Sequence, residues 1–225
     1  SVTDPNYNFS GNRLVYFARN EINDKPGSGY KNNILSTGIS TSFEQYKRVY
    51  VSPGISFSYD DLKVESSASK GLQKQKGTFS DLALNYGITL DNRDKVYAPT
   101  DGYISSFNQS LPIYADSPYI DNTFQFSKYQ LITENAVGAF KLYAATVTGL
   151  GNKDVRLNKR KNLPSRKMRG FEPGKIGPKD GDDHVGGNYA YASNVELALP
   201  KLLPSNTNTD IGLFLDVGNV WSVDY

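Results

Sequence analysis

The residues best placed to do chemistry lie in the segment Leu163-Pro164-Ser165-Arg166-Lys167-Met168-Arg169-Gly170-Phe171-Glu172-Pro173-Gly174. A guanidinium is planar, permanently charged and forked, so Arg169 can hold two carboxylates at once, which a lysine cannot do as well. Gly170 lets the backbone turn sharply or approach a wall closely, and Phe171 offers a ring to pack against that wall. An arginine in a segment that must cross or plug something asks for a buried acidic partner, and Glu196 and Asp216 are the candidates. Other chemistry is scarce. The chain has one His and no Cys, which leaves little for a nucleophile with its base and removes thiolate metal sites. Asp180-Gly181-Asp182-Asp183-His184 looks metal-like but lacks the spacing and terminal Glu of a calcium loop, and one His makes no zinc site. It reads as a mobile polar loop tip. Gly170, Gly174 and Gly177 are not a phosphate loop, because no Lys-Ser/Thr pair follows. Asp60 and Asp61 cannot be an acid/base pair, since adjacent strand residues point to opposite faces. We expect no enzyme, no metal and no cofactor.

The elements that must position Arg169 are strands. In Leu82-Ala83-Leu84-Asn85-Tyr86-Gly87-Ile88-Thr89-Leu90 every even position is large and apolar, and the odd ones are small or polar. Nine residues at about 3.3 Å each cover roughly 30 Å, enough to cross a bilayer's apolar band when tilted. Val49, Val51, Pro53, Ile55, Phe57 and Tyr59 share one face, and Ser52, Gly54, Ser56 and Ser58 the other. The second face is too small and polar for a sandwich core but suits a wet lumen. Further strands are expected over Asn12–Asn23, Asn33–Phe43, Gly102–Leu111, Thr123–Ile132, Gly138–Thr148, Asn188–Leu199 and Thr209–Trp221, about nine in all. No helix-period segment of useful length appears. Short connections (Asp94–Asp101, Pro204–Asn208) contrast with long polar ones (Ser66–Gly77, Asn152–Gly187), as in outer-membrane barrels.

Composition agrees. Formal charge is +2, from 25 Lys+Arg against 23 Asp+Glu, so no global field points to nucleic acid. Mean hydropathy is −0.51, yet 12% of residues are aromatic, with 16 Tyr and 11 Phe. A membrane β-barrel reconciles the two, because lipid-facing residues alternate with lumen-facing polar ones and tyrosines form interfacial girdles. A soluble β-sandwich with a Tyr-rich surface is the alternative. The ten basic residues against five acidic ones from Asn152 to Gly187 read as a solvated extracellular loop. Ser1 follows no leader and Trp221-Ser222-Val223-Asp224-Tyr225 stops just after a strand, so the chain reads as a piece of a longer protein.

Alternation also places the acids. In Thr209–Trp221, Ile211, Leu213, Leu215 and Val217 face lipid, so Asp216 faces the lumen beside Phe214 and Gly218. Val195, Leu197 and Leu199 face lipid, so Glu196 also points inward. With a turn centred on Asn206, Glu196 falls directly across from Asp216. Like charges so opposed repel unless a cation sits between them, and Arg169 is that cation.

Three places resemble the BamA-like outer-membrane assembly factors, the bacterial surface antigen family. They are Met168-Arg169-Gly170-Phe171 with the lid loop running to Pro178 and Gly186-Gly187-Asn188; Asp91-Asn92-Arg93 with Pro99 and Gly102; and the strands Ser193–Leu197 and Phe214–Trp221. They occur in the family's order along most of the chain. The resemblance implies an all-β, antiparallel transmembrane barrel of about sixteen strands, of which residues 1–225 would be a partial outer-membrane β-barrel domain with lid loop 152–187. POTRA domains and the first and last barrel strands would lie outside it. It also implies that Arg169 reaches into the barrel to Glu196 and Asp216. The whole protein would fold and insert β-barrel proteins in the bacterial outer membrane, with lipid and unfolded outer-membrane proteins as partners, assembly lipoproteins reached through the POTRA domains, and no nucleic acid. A secretion or translocation pore of the same superfamily, a passive porin and a soluble β-adhesin are the other readings.

Overall fold

The computed structural model describes residues 1–9, 11–25, 29–200 and 210–223. The strands are β1 (Val2–Tyr7), β2 (Asn12–Lys25), β3 (Tyr30–Tyr46), β4 (Val49–Val64), β5 (Gly77–Asp91), β6 (Gly102–Ala115), β7 (Tyr119–Thr133), β8 (Ala136–Gly149), β9 (Lys179–Asp180), β10 (Asp183–His184), β11 (Tyr189–Leu199) and β12 (Ile211–Trp221). Among the described residues ten of them make one antiparallel sheet in the order β1-β2-β3-β4-β5-β6-β7-β8-β11-β12, and β9 and β10 pair separately. Each strand of the large sheet therefore lies beside its chain neighbour, and the segment between β8 and β11 is an excursion from it. The sheet is not closed: β1 and β12 are its two edges.

The expected strands are all present, and most are longer than the alternation alone indicated. β3 and β4 run 17 and 16 residues, because backbone pairing continues past the apolar band into Lys31↔Lys63, Asn33↔Asp61 and Asn32↔Leu62. β1 is the strand that alternation missed. Its sequence, Val-Thr-Asp-Pro-Asn-Tyr, has no apolar face and is exposed throughout, and its proline is tolerated because it lies on an edge strand.

Register shows the two faces. Ile55 pairs with Leu84 and Phe57 with Leu82, while Gly54 pairs with Asn85 and Ser56 with Ala83. The outward rows stay exposed: Leu213, Leu215 and Val217 are 64%, 64% and 57% accessible. In water such a stripe is a liability, but against acyl chains it is the compatible surface.

Successive connections alternate between the two ends of the sheet. The turn at 47–48, the ten residues 92–101 and the turn at 134–135 lie at one end. Segments 65–76, 116–118 and 150–188 lie at the other, so both long polar segments share one mouth. The expected turn Pro204–Asn208, with Asn206 at its centre, lies outside the described residues. Segment 65–76 contains a one-turn helix, α1 (Lys70–Gln73), capped by the Ser69 hydroxyl, which accepts from the Leu72 amide at 3.2 Å. No described helix is long and apolar enough to cross a membrane, which says nothing of strands.

The lid, residues 150–188, folds onto the polar inner face and brings apolar side chains with it. Leu157 and Val185 join Tyr30, Leu62, Ala68 and Leu72 in one buried cluster at the mouth. Leu163 and Met168 pack against Ala145, Ala190, Ala192 and Val220 on the β8–β11–β12 wall. The small wall residues make room: a Cβ on Gly218 would meet the Met168 sulfur at 3.0 Å and Leu163 at 3.1 Å. The lid is therefore seated and not solvated. Arg156 and Arg160, expected in a solvated loop, are 4% and 5% exposed. The expected mobile tip is instead the β9–β10 hairpin, tied to segment 65–76 because Ser69 donates to the Asp180 carboxylate.

Candidate functional site

Pro164, with its φ of −61°, begins the tight turn Ser165–Lys167, which delivers Met168 to the wall. Arg169 follows, and its side chain turns to β11 and β12. Its Nε donates to Asp216 at 2.8 Å and its Nη2 to the other Asp216 oxygen at 2.5 Å. The Arg169 amide also donates to Asp216, at 3.0 Å. Nη2 lies 3.0 Å from Glu196 as well. The guanidinium lies 3.8 Å from the Phe214 ring centroid, a cation–π contact on the face its hydrogen bonds leave free. Asp216 is the drier acid, with its side chain 4% exposed against 22% for Glu196 and 31% for Arg169.

Two expectations need correction in detail, and two more are sharpened. Glu196 does not lie directly across from Asp216: it pairs with Phe214, and Asp216 pairs with Asn194. The register is two residues away from that of an Asn206-centred turn. A slip of two keeps every side chain on its face, so both acids still reach the arginine, along a diagonal. Phe171 does not pack against the lumen wall; it is 57% exposed, and the ring beneath the arginine is Phe214. Gly170 has φ +85°, and a Cβ there would meet open space, so it serves the turn that carries Phe171 away and not a close approach. Met168, read only as part of the motif, is the buried member at 6% exposure.

Sequence reasoning also missed a second cation. Lys141 on β8 contacts the other Glu196 oxygen at 2.5 Å. Asn194, 1% exposed, bridges the site by donating to both Asp216 and the Lys167 carbonyl at 2.8 Å. Alternation puts Lys141 and Asn194 on the inner face, but only cross-strand register makes them neighbours of the acids.

The other predicted cluster sits at the 92–101 turn, with β6, β7 and β8 between it and the strands of the latch. Arg93 forks onto Asp91 at 2.8 and 2.7 Å. Asp94 accepts from the Thr100 hydroxyl at 2.6 Å and from the Thr100 and Asp101 amides at 3.0 and 3.2 Å. These bonds, that of the hydroxyl foremost, hold its carboxyl down at about 2. Half-buried Pro99 lies inside this turn. Gly102 closes it with φ +92°, and a Cβ there would sit 2.1 Å from the Asn92 carbonyl oxygen, so only glycine fits. The arrangement is a turn staple. Among the described residues no group of three or more His, Asp or Glu could hold a metal ion.

A meander of strands, apolar outside and polar inside, with a lid fastened to its inner wall by an arginine, defines a segment of a lid-bearing transmembrane β-barrel. The chain belongs to the Omp85 superfamily, whose domain matches residues 1–225. It is 27% identical over 220 residues to the outer membrane protein assembly factor BamA of Neorickettsia risticii, covering 96% of this chain and 29% of that protein. It is 24% identical over 169 residues to the sorting and assembly machinery component 50 homolog of Mus musculus, covering 71% of this chain and 36% of that one. The crystal structure of BamA from Haemophilus ducreyi lacking POTRA domains 1–3 superposes with a TM-score of 0.84 at 21% identity, covering 98% of this chain and 48% of the other. The chain thus spans roughly a third of the length of these curated relatives. It is an outer-membrane β-barrel segment.

Proposed function

We propose that this chain is barrel wall and lid of an outer-membrane assembly factor that folds and inserts other β-barrel proteins. The observation that carries the reading is the Arg169 fork on Asp216, shared with Glu196, inside the barrel. A charge-assisted fork of this kind fixes orientation as well as distance. It serves as a latch on the lid, with no bond made or broken. The relatives' names, an assembly factor and a sorting and assembly component, support the same work here. Unfolded barrel proteins would be the substrates, and accessory lipoproteins would be reached through domains beyond this segment. Exposed strand edges can pair with incoming strands by main-chain hydrogen bonds, which accounts for tolerance of many sequences. A passive porin fits less well, because the lid brings apolar clusters onto the inner wall.

The test is reconstitution of the full-length protein in vesicles with an unfolded barrel substrate, followed by its heat-dependent gel shift. Arg169→Glu should stop assembly, and reversal of Asp216 should restore part of it. Full assembly by Arg169→Glu in a folded protein would refute the latch.

A further inference from the structure

The lid carries a second buried arginine that the latch at Arg169 does not use. Arg156 stands at the lid's root with its side chain 3% exposed. Its Nη2 donates to Asp81 on β5, and its Nη1 lies 3.8 Å from Asp60 on β4. The guanidinium lies 4.5 Å from the Phe79 ring centroid. Asp60 is 0% and Asp81 6% exposed at the side chain.

The two arginine seats share one plan. At the first, Glu196 on one strand pairs directly with Phe214 on the next, and Asp216 follows that phenylalanine by two residues. At the second, Asp60 pairs directly with Phe79, and Asp81 follows by two. Each seat thus presents two carboxylates and a ring on the inner face of two neighbouring strands. Two acids on one face, so close, need a cation between them, and in both seats the lid supplies an arginine that also lies on the ring. The Arg156 seat is the drier of the two. Lys159 adds a contact to Asp81 at 3.6 Å, Asn158 donates to Asp60, and Lys161 meets Asp121 on β7 at 2.5 Å.

We propose that Arg156 is a second latch, which fastens the root of the lid to β4 and β5 independently of the Arg169 latch on β11 and β12. The seats are separated along the sheet by β6, β7 and β8. A lid tied at both is a strut across that stretch of wall: it resists a change of curvature there, and release of one latch leaves the lid tethered by the other. The proposal rests on the reading of the lid as a latched element, and it makes Arg156 a positioning residue for it.

The test uses thiol labelling of the full-length protein in micelles, with any cysteine outside this segment replaced by serine. Val155→Cys reports the root and Leu163→Cys the wall beside the first latch; both positions are buried. Folding is followed by the heat-dependent gel shift. Arg156→Gln should raise root labelling by about tenfold or more, since it takes the buried cation away from two buried acids and leaves them only Lys159 and Asn158, and should leave Leu163→Cys protected. Arg169→Gln should do the converse. Because Arg156→Gln alone can prevent folding, the triple variant Asp60→Asn, Asp81→Asn, Arg156→Gln, which removes both acids with the arginine, is its companion and should also free the root. Arg156→Lys should hold the root only in part, because a point-like ammonium cannot lie between both carboxylates and flat on the ring as the guanidinium does.

Unchanged root protection in either folded variant overturns the proposal, as does release of both reporters together by any one variant. If neither the single nor the triple variant folds, the seat belongs to the wall's own folding and the latch is likewise overturned. Assembly of substrate by the same variants separates this from the function proposed above. A freed root with unchanged assembly leaves the second latch standing and confines the assembly role to the Arg169 end of the lid.

Discussion

Truncation of Arg169 should strand one acid and not the other. In Arg169→Ala, Asp216 loses both fork bonds, of 2.8 and 2.5 Å, and keeps only the residue-169 amide and Asn194. Glu196 keeps Lys141 at 2.5 Å. Removing one partner of a fully buried pair costs about 3–5 kcal/mol. Because Arg169 is 31% exposed and Asp216 retains two donors, the lower figure of about 2–3 kcal/mol applies here. Adding Asp216→Asn removes the stranded charge and should recover about 1–2 kcal/mol, whereas adding Glu196→Gln should recover less than about 0.5 kcal/mol. Hydrogen exchange of the amides from 163 to 171 in the full-length protein reads the opening free energy of the lid directly. The refuting results are definite. Additivity of Arg169→Ala and Asp216→Asn to within about 0.5 kcal/mol would mean that the two groups do not interact. Equal rescue by Glu196→Gln would mean that Lys141 does not hold Glu196.

Neighbouring residues of β5 should respond oppositely to charge. Leu84→Arg, on the outer face, should cost about 2–4 kcal/mol if it lies near the bilayer midplane, while Asn85→Arg, on the inner face, should cost under about 1 kcal/mol; denaturant unfolding in bilayers compares them, and equal costs would contradict a lipid-facing outer surface. Phe214→Ala should loosen the lid by about 0.5–1 kcal/mol through the lost ring contact with Arg169, and Phe171→Ala, whose ring does not lie on the guanidinium, should not; the same exchange measurement separates them. Asp94 is held down at about 2 by Thr100 and Asp101, so its bonus to the 92–101 turn is complete above the ordinary carboxylate value near 4 and is lost as pH falls through about 2. Amide exchange or NMR shifts in this turn should follow that window in the native protein and lose it in Asp94→Asn.

Much of this was legible in the chain because it is local. Alternation is a property of the pleat, so Leu82–Leu90 showed its two faces without any neighbour, and the same rule put Glu196 and Asp216 inside. The basic run from Lys153 to Lys167 misled for a complementary reason. Composition averages over direction, and solvated lysines and a buried Arg156 look the same until the partners at Asp60 and Asp81 are in place. β1 escaped detection because its place beside β2 is set by backbone pairing, over side chains that carry no alternating pattern.

By its sequence alone the protein was determined to be a strand meander with an apolar outer face, a polar inner face and a lid arginine in need of acids. Which acid faces which residue, which ring lies under the guanidinium, and that Lys141 and a second arginine seat exist were decided by tertiary structure. The reason is register. A period of two is unchanged when one strand slips by two residues past its neighbour, so the sequence specifies the face of every side chain and leaves its cross-strand partner to the assembled sheet.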